Sequence, residues 1–294
     1  MTSLLTMFQA AFIYNAFLAG ALIATTAAVI GYFVVLRAEA FAAHGLAHIA
    51  FAGATGAALL GLAALPGTLI FTIAAALAMG GLGRRLRGRD VVIGLVLSFA
   101  LGLGVLFLKL YTNAANEAVG LLFGSILSVT TSQIHLAVWL ALGVLAVVGF
   151  LFRPLLFASI DPEGAEARGV PVKALSIVFL LLLAITVAQA VQVVGILLVF
   201  ALIIAPPAIA QHIFRRPAAV IGLSILLGVA FTWGGLLLAM LTPYPVSFYI
   251  AALAGASYLL AVNLSHFIHP HRHHEPAHPD HEHVDHPHHQ HAHP

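Results

Sequence analysis

The chain has 294 residues, of which 62% are hydrophobic and 7% charged, with a formal net charge of +2 and no cysteine. Apolar runs this long exclude a soluble globular domain, and the lack of cysteine excludes disulfides, thiolate zinc sites and iron-sulfur ligation, so any metal must be held by His, Asp, Glu or water. The basic residues sit in short loops and form no soluble basic face with base-stacking aromatics, so the partner is the lipid bilayer and not nucleic acid.

A membrane-spanning helix needs roughly 20 mostly apolar residues. Stretches free of Asp, Glu, Lys and Arg run 1–36, 40–83, 91–108, 118–152, 174–214 and 217–271. Pro66-Gly67, the Gln189 to Gly195 region and Thr242-Pro243-Tyr244-Pro245 divide the longer ones, because proline and glycine interrupt helices most cheaply at a water-facing turn. The pattern predicts an all-α, polytopic membrane protein with nine spans, at about 10–36, 41–63, 67–83, 91–109, 132–152, 172–190, 192–211, 218–241 and 246–266. The N-terminus has no basic region and no small-residue cleavage site after a short apolar core, so the first segment reads as a retained span and not a signal peptide. Arg37, then Arg84, Arg85, Arg87 and Arg89, then Arg153, Arg168 and Lys173, then Arg215 and Arg216 fall in alternate loops, which are therefore cytoplasmic; Lys109 lies on the opposite side. The first span accordingly starts outside, as in a multi-pass membrane protein.

In the stretch from Arg37 to Gly56, where a charged turn gives way to the second span, His44 and His48 stand four residues apart. That spacing places both imidazoles on one helix face within reach of a single ion. Imidazole suits zinc and other transition metals, and a polar pair inside lipid is a functional candidate by default. The plainer reading is a helix start whose imidazoles hydrogen-bond to neighbouring carbonyls. Small residues flank the pair, from Ala42, Ala43 and Gly45 to Gly53 and Gly56, and allow close approach of neighbouring helices; Gly53 and Gly56 read as packing residues.

After the fourth span, Asn113, Asn116 and Glu117 lie in an outer loop, where Glu117 is either a docking contact or merely solvated. Between the fifth and sixth spans, Asp161-Pro162-Glu163 to Glu166, Arg168, Gly169 and Pro171 form the one acidic loop on the cytoplasmic side. Asp161 reads as an N-cap, Pro162 as the first helical residue and Gly169 as the stop. A three-turn helix there would present Glu163, Glu166 and Arg168, as a docking element or as a solvated connector. Farther on, Gly195 and Pro206-Pro207 bracket an apolar run; the prolines kink or end its helix, and this run is expected to pack beside the 41–63 segment. His212, next to Arg215, reads as an interfacial residue.

From His269 to Pro294 the sequence alternates His with Pro, Asp and Glu and has almost no large apolar groups. Such a segment buries too little to offset chain entropy. The chain therefore divides into a membrane body, 1–266, and a disordered His-rich tail, 267–294. His271, His273, His274, His281, His283, His288, His289 and His291 are candidate ligands for borderline divalent ions in many interchangeable geometries. A purification tag would be a pure histidine run, whereas this segment interleaves Pro, Asp, Glu and Ala.

Phe33-Val-Val-Leu-Arg37, the Ala43-His44-Gly-Leu-Ala-His48 turn, Phe123-Gly124-Ser-Ile-Leu-Ser128-Val-Thr, Asp161-Pro162-Glu163-Gly-Ala165 to Gly169, and Val194-Gly195 through Pro206-Pro207 to Ala210 together resemble the permease subunit of bacterial zinc and manganese ABC transporters. The resemblance covers about residues 10–265, and its blocks occur in the family's order, which is more specific than any one block. It implies an importer permease of the metal and cobalamin type, acting as a homodimer with cytoplasmic ABC ATPase subunits and an extracytoplasmic metal-binding protein. It makes His48 and His44 part of the metal path and the Asp161 to Arg168 helix the coupling helix that docks on the ATPase. The cargo is a transported ion, zinc or else manganese or iron, with no intrinsic cofactor. The family usually has Asp where His44 stands. The softer, less anionic pair favours zinc, since carboxylate and carbonyl oxygens suit manganese better.

No Gly-x-x-x-x-Gly-Lys-Ser/Thr sequence and no His-Glu-x-x-His occur, so neither ATP hydrolysis nor metalloprotease chemistry is expected of this chain. A secondary, ATPase-independent metal transporter is the competing class. Its spans would ordinarily carry ionisable residues for coupling, and here the spans hold only histidines and edge carboxylates.

Overall fold

The structure is a computed structural model and describes residues 11–82, 89–110, 120, 124 and 126–268. Among these residues there is no strand. The helices are α1 (Ala11–Leu36), α2 (Ala40–Leu59), α3 (Ala64–Leu82), α4 (Arg89–Leu110), α5 (Thr131–Ile160), α6 (Pro162–Ala167), α7 (Val172–Val194), α8 (Ile196–Ile213), α9 (Pro217–Leu241) and α10 (Val246–Ile268), with a 3-10 turn at Ile126–Ser128 before α5. Each of the nine expected spans is a helix of at least 18 residues. Eight are long and apolar enough to cross a membrane, and α2 is the exception. Its 20 residues suffice in length, but His44, His48 and a run of Ala and Gly dilute its apolarity.

Several boundaries differ from the sequence expectation for local physical reasons. Pro66 does not separate α2 from α3 but lies in the first turn of α3, where its missing N–H would have no intrahelical partner anyway. The separation is made at Gly61, whose φ of 68° is left-handed. There Leu62 N donates to Ala57 O and Gly61 N to Ala58 O, a Schellman ending. Likewise α7 continues through Gln189, and the break is the single residue Gly195, with φ 86°. Gln189 is buried inside the helix, and its amide donates to Thr26 Oγ1 of α1 at 3.4 Å. Pro206 and Pro207 do not end α8. Pro207 frees the Ile203 carbonyl four residues earlier, and that oxygen occupies the space where a Cβ on Gly31 of α1 would lie. α5 passes Arg153 and Pro154 to reach 30 residues, about 45 Å at 1.5 Å per residue, so it projects beyond a hydrocarbon core of ~30 Å.

α1 and α7 form the centre, with 67% and 72% of their apolar windows buried, against 28% or less for α3, α4, α5 and α10. Where α1, α5 and α7 meet, Phe33 packs edge-on against Phe152 and Phe179. After its turn α2 leaves α1 and packs chiefly on α3, α4, α7 and α8.

Two sets of contacts define the ends of the bundle. At one end Arg37 bonds Ser159 and Ser176 and Gln211 donates to Tyr32 O, which gathers the α1–α2, α5–α7 and α8–α9 connections, the basic ones. At the other, Asn15 donates to Val129 O and Trp233 to Phe17 O. There Gly124, at φ 77°, lies so close to Val194 and Gly195 that a Cβ would collide with their backbone. Gly124 is thus seated against the α7–α8 break, and a Thr130–Gln133 capping box starts α5.

Candidate metal path and cytoplasmic helix

α2 begins after a second Schellman ending. Glu39 N donates to Val34 O and Ala38 N to Val35 O, and Ala38 takes the left-handed conformation, φ 54°, that glycine usually fills. Glu39 is the N-cap residue of α2, and no side-chain cap bond is made there; its carboxylate turns instead to Arg37, whose Nε lies 2.9 Å from Glu39 Oε1 with both side chains buried.

From this start the helical period brings His44 and His48 onto one face, with ring centroids 4.6 Å apart in an edge-on arrangement. Phe200 of α8 lies edge-on to His44, its centroid at 5.2 Å, so α8 does pack beside α2. Both histidines are half-buried, while Ala43, Gly45, Ala47 and Ile49 beside them in sequence are buried. The pair thus opens onto a partly exposed face continued by Phe51, Phe200 and Ile204. Among the described residues no set of three or more His, Asp and Glu comes together in a way that would hold a metal ion. Two imidazoles are half of the four ligands a tetrahedral zinc site takes.

The glycines around the pair are packing residues. A Cβ on Gly53 would collide with the Gly67 carbonyl oxygen, and one on Gly67 with that of Gly53, so α2 and α3 cross backbone to backbone. A Cβ on Gly56 would lie 3.1 Å from the Phe107 ring of α4, and one on Gly45 would meet Ile93 and Met79.

The acidic loop folds as its residues dictate, but into a shorter helix than three turns. Asp161 Oδ1 accepts from Gly164 N at 2.9 Å, Pro162 is the first helical residue, and α6 spans six residues. Gly169, φ 80°, stops it, with Val170 N donating to Ala165 O and Gly169 N to Glu166 O. Glu163, Glu166 and Arg168 are exposed. Ala165 is buried underneath, the Arg168 guanidinium lies over the Phe157 ring at 5.4 Å, and Glu166 is 3.4 Å from Lys173. An exposed pair like this last one adds little stability. α6 is therefore fastened to the end of α5 and the start of α7, with its polar side presented to solvent.

The remaining candidates stay apart. His212 is exposed and stands near Tyr258 of α10, ring centroids 6.4 Å apart. Asn113, Asn116, Glu117, Arg84, Arg85, Arg87 and the tail histidines lie outside the described residues. In the sequence Arg37 stands out as a marker of sidedness and as the end of the Phe33–Arg37 block, and Glu39 does not stand out. The one available clue was an opposite-charge couple two residues apart between two charge-free runs.

The chain is similar to known proteins over most of its length. Residues 9–265 match the model of the ABC 3 transport family. The manganese transport system membrane protein MntC of Halalkalibacterium halodurans is 29% identical over 251 residues, 85% of this chain and 86% of the relative. The high-affinity zinc uptake system membrane protein ZnuB of Haemophilus influenzae is 27% identical over 231 residues, 77% of this chain and 87% of the relative. Among solved structures, PsaBC from Streptococcus pneumoniae in complex with Fab superposes with a TM-score of 0.79 at 25% identity, over 90% of this chain and 94% of that one.

Proposed function

The chain belongs to the ABC 3 transport family, as a multi-pass membrane permease of a bacterial metal ABC transporter, and on that premise we propose that it admits zinc to the cell along a path lined by His44 and His48. The observation that carries this reading is the edge-on imidazole pair, 4.6 Å apart on a half-exposed face of α2. Family membership sets aside the ATPase-independent secondary transporter.

Two copies of the chain, related by a two-fold axis along the α2 and α8 face, would present two such pairs to each other, as an isologous interface does. Four imidazoles fit the coordination number and ligand type of zinc. The half-exposed, otherwise apolar surroundings of the pair support a second copy there. Zinc is cargo, so the site must bind and release, and the protein needs no resident cofactor.

ATP hydrolysis falls to separate cytoplasmic subunits, and delivery to an extracytoplasmic metal-binding protein. α6, exposed and fastened to α5 and α7, is the element offered to the ATPase through Glu163, Glu166, Arg168 and the cap residue Asp161. Residues 1–266 are the permease body, and the tail from 267 is a metal-buffering extension. Manganese is the second reading, favoured by the name of MntC and opposed by the lack of a carboxylate beside His48. Uptake of zinc against manganese into proteoliposomes, with ATPase and binding protein present, tests the proposal; transport of manganese alone would overturn zinc as cargo.

A further inference from the structure

The guanidinium of Arg37 joins the α1–α2 turn, α5 and α7 at the cytoplasmic end. Its Nε donates to Glu39 Oε1 at 2.9 Å, its Nη1 to Ser159 Oγ at 3.3 Å and its Nη2 to Ser176 Oγ at 2.7 Å, and its Cζ lies 5.1 Å from the centre of the Phe179 ring. Ser159 is two residues before Asp161, which caps α6; Ser176 stands in the first turns of α7, just after α6. Ser159 is itself oriented by donating to Leu155 O at 2.6 Å. Glu39 is the residue that starts α2, five before His44. One planar, rigid fork therefore ties both stems of α6 to the N-cap of the helix that bears the imidazole pair. Arginine suits this task because its donors hold fixed relative directions.

The cluster is costly to keep. Burying an ion pair roughly cancels its attraction against lost hydration, and hydrophobic residues of similar volume often serve stability as well or better. Simple fold stabilisation is thus a weak account of it. α2 also has few contacts with α1 beyond the turn, so its position depends on this turn and on neighbours that touch it through small residues.

We propose that Arg37 is the positioning residue through which displacement of α6 reaches α2, so that the Arg37–Glu39–Ser159–Ser176 cluster couples the ATPase to the histidine pair. This rests on the reading of α6 as the ATPase-docking helix and of His44 and His48 as the metal path. When α6 moves, Ser159 and Ser176 carry the guanidinium with them, and the ion pair carries the start of α2. Splaying of α5 from α7 would instead break one serine bond and release α2.

The test uses the full transporter, permease with its ATPase and binding protein, in proteoliposomes supplied with zinc. Ser159→Ala with Ser176→Ala leaves the ion pair intact and avoids stranding a buried charge. The complex should assemble normally and hydrolyse ATP at its basal rate, while zinc transported per ATP hydrolysed drops roughly five-fold or more, the lower end of measured couplings between linked sites. The Ser→Thr pair, which keeps both hydroxyls, should restore the ratio. Arg37→Lys, with its charge but without the fork, should behave like the alanine pair. A wild-type ratio in the alanine pair overturns the inference, and so does a parallel loss of transport and hydrolysis at constant ratio, which would make the cluster a fold stabiliser only. Glu163→Ala with Arg168→Ala separates the two readings. If that variant keeps its ATPase, the docking role of α6 fails and this inference with it. If it loses the ATPase while the serine variant stays coupled, the inference alone falls.

Discussion

Gly53 of α2 and Gly67 of α3 lie so close that each occupies the space the other's Cβ would need against its carbonyl oxygen. In a membrane, helix association draws on packing and not on expulsion of water, so such backbone contact is what holds two spans together. α4 packs chiefly on α2 and α3, and the crossing thus anchors a three-helix unit.

Gly53→Val should therefore push α2 from α3 and lower stability by about 1–3 kcal/mol, the usual cost of overpacking. Gly143→Val, in α5 with open space around its Cβ position, should cost far less. Thermal unfolding of the detergent-solubilised protein measures both, and equal losses would contradict the crossing.

His48→Ala should abolish metal uptake while membrane insertion and ATPase attachment persist, because it removes a ligand and little packing from a half-exposed face. His44→Asp should remain active with its preference moved toward manganese, since a carboxylate oxygen suits that ion better than imidazole does. Radiolabelled zinc and manganese uptake in proteoliposomes checks both; wild-type zinc uptake by His48→Ala would remove the pair from the path.

Ala38 adopts φ 54° at the α1–α2 turn. A left-handed alanine carries about 1–2 kcal/mol of steric cost, part of which glycine returns through its freer unfolded chain. Ala38→Gly should thus raise stability by about 0.5 kcal/mol, whereas Gly169→Ala, at φ 80°, should lower it and weaken the stop of α6. Melting temperatures of the two variants should move in opposite directions.

Charge-free run lengths locate all nine long helices, because a bilayer imposes length and apolarity together. They place the first break too late, at Pro66, and the second too broadly, across Gln189 to Gly195, since proline in a first turn costs nothing and a buried amide can donate to a threonine on another helix, as Gln189 does to Thr26. The i, i+4 geometry of His44 and His48 follows from helical period alone. Arg37 reaching Ser159 and Ser176, more than a hundred residues away, and Gly124 meeting Gly195 do not, because only tertiary packing creates them.

The tail prediction depends on where α10 ends. That helix runs to Ile268, two residues past the body boundary at 266, so the cut lies after Ile268. Removal of residues 269–294 should leave folding and transport at saturating zinc unchanged, since the body from α1 to α10 is intact. Retention or regulation should suffer when zinc is scarce or in excess. The twelve histidines from His269 to His293 bind metal only as neutral imidazoles, so zinc affinity of the isolated tail should be present at neutral pH and fade as pH drops below about 6.5, where imidazole takes up a proton. A segment that must order on binding gains modest affinity per ion, and loose geometry should leave selectivity among zinc, nickel and copper to the intrinsic order of stabilities. Calorimetric titration of the tail peptide at two pH values measures this directly. No heat at neutral pH would refute the buffering role, and an inactive truncation would place the tail in the translocation machinery.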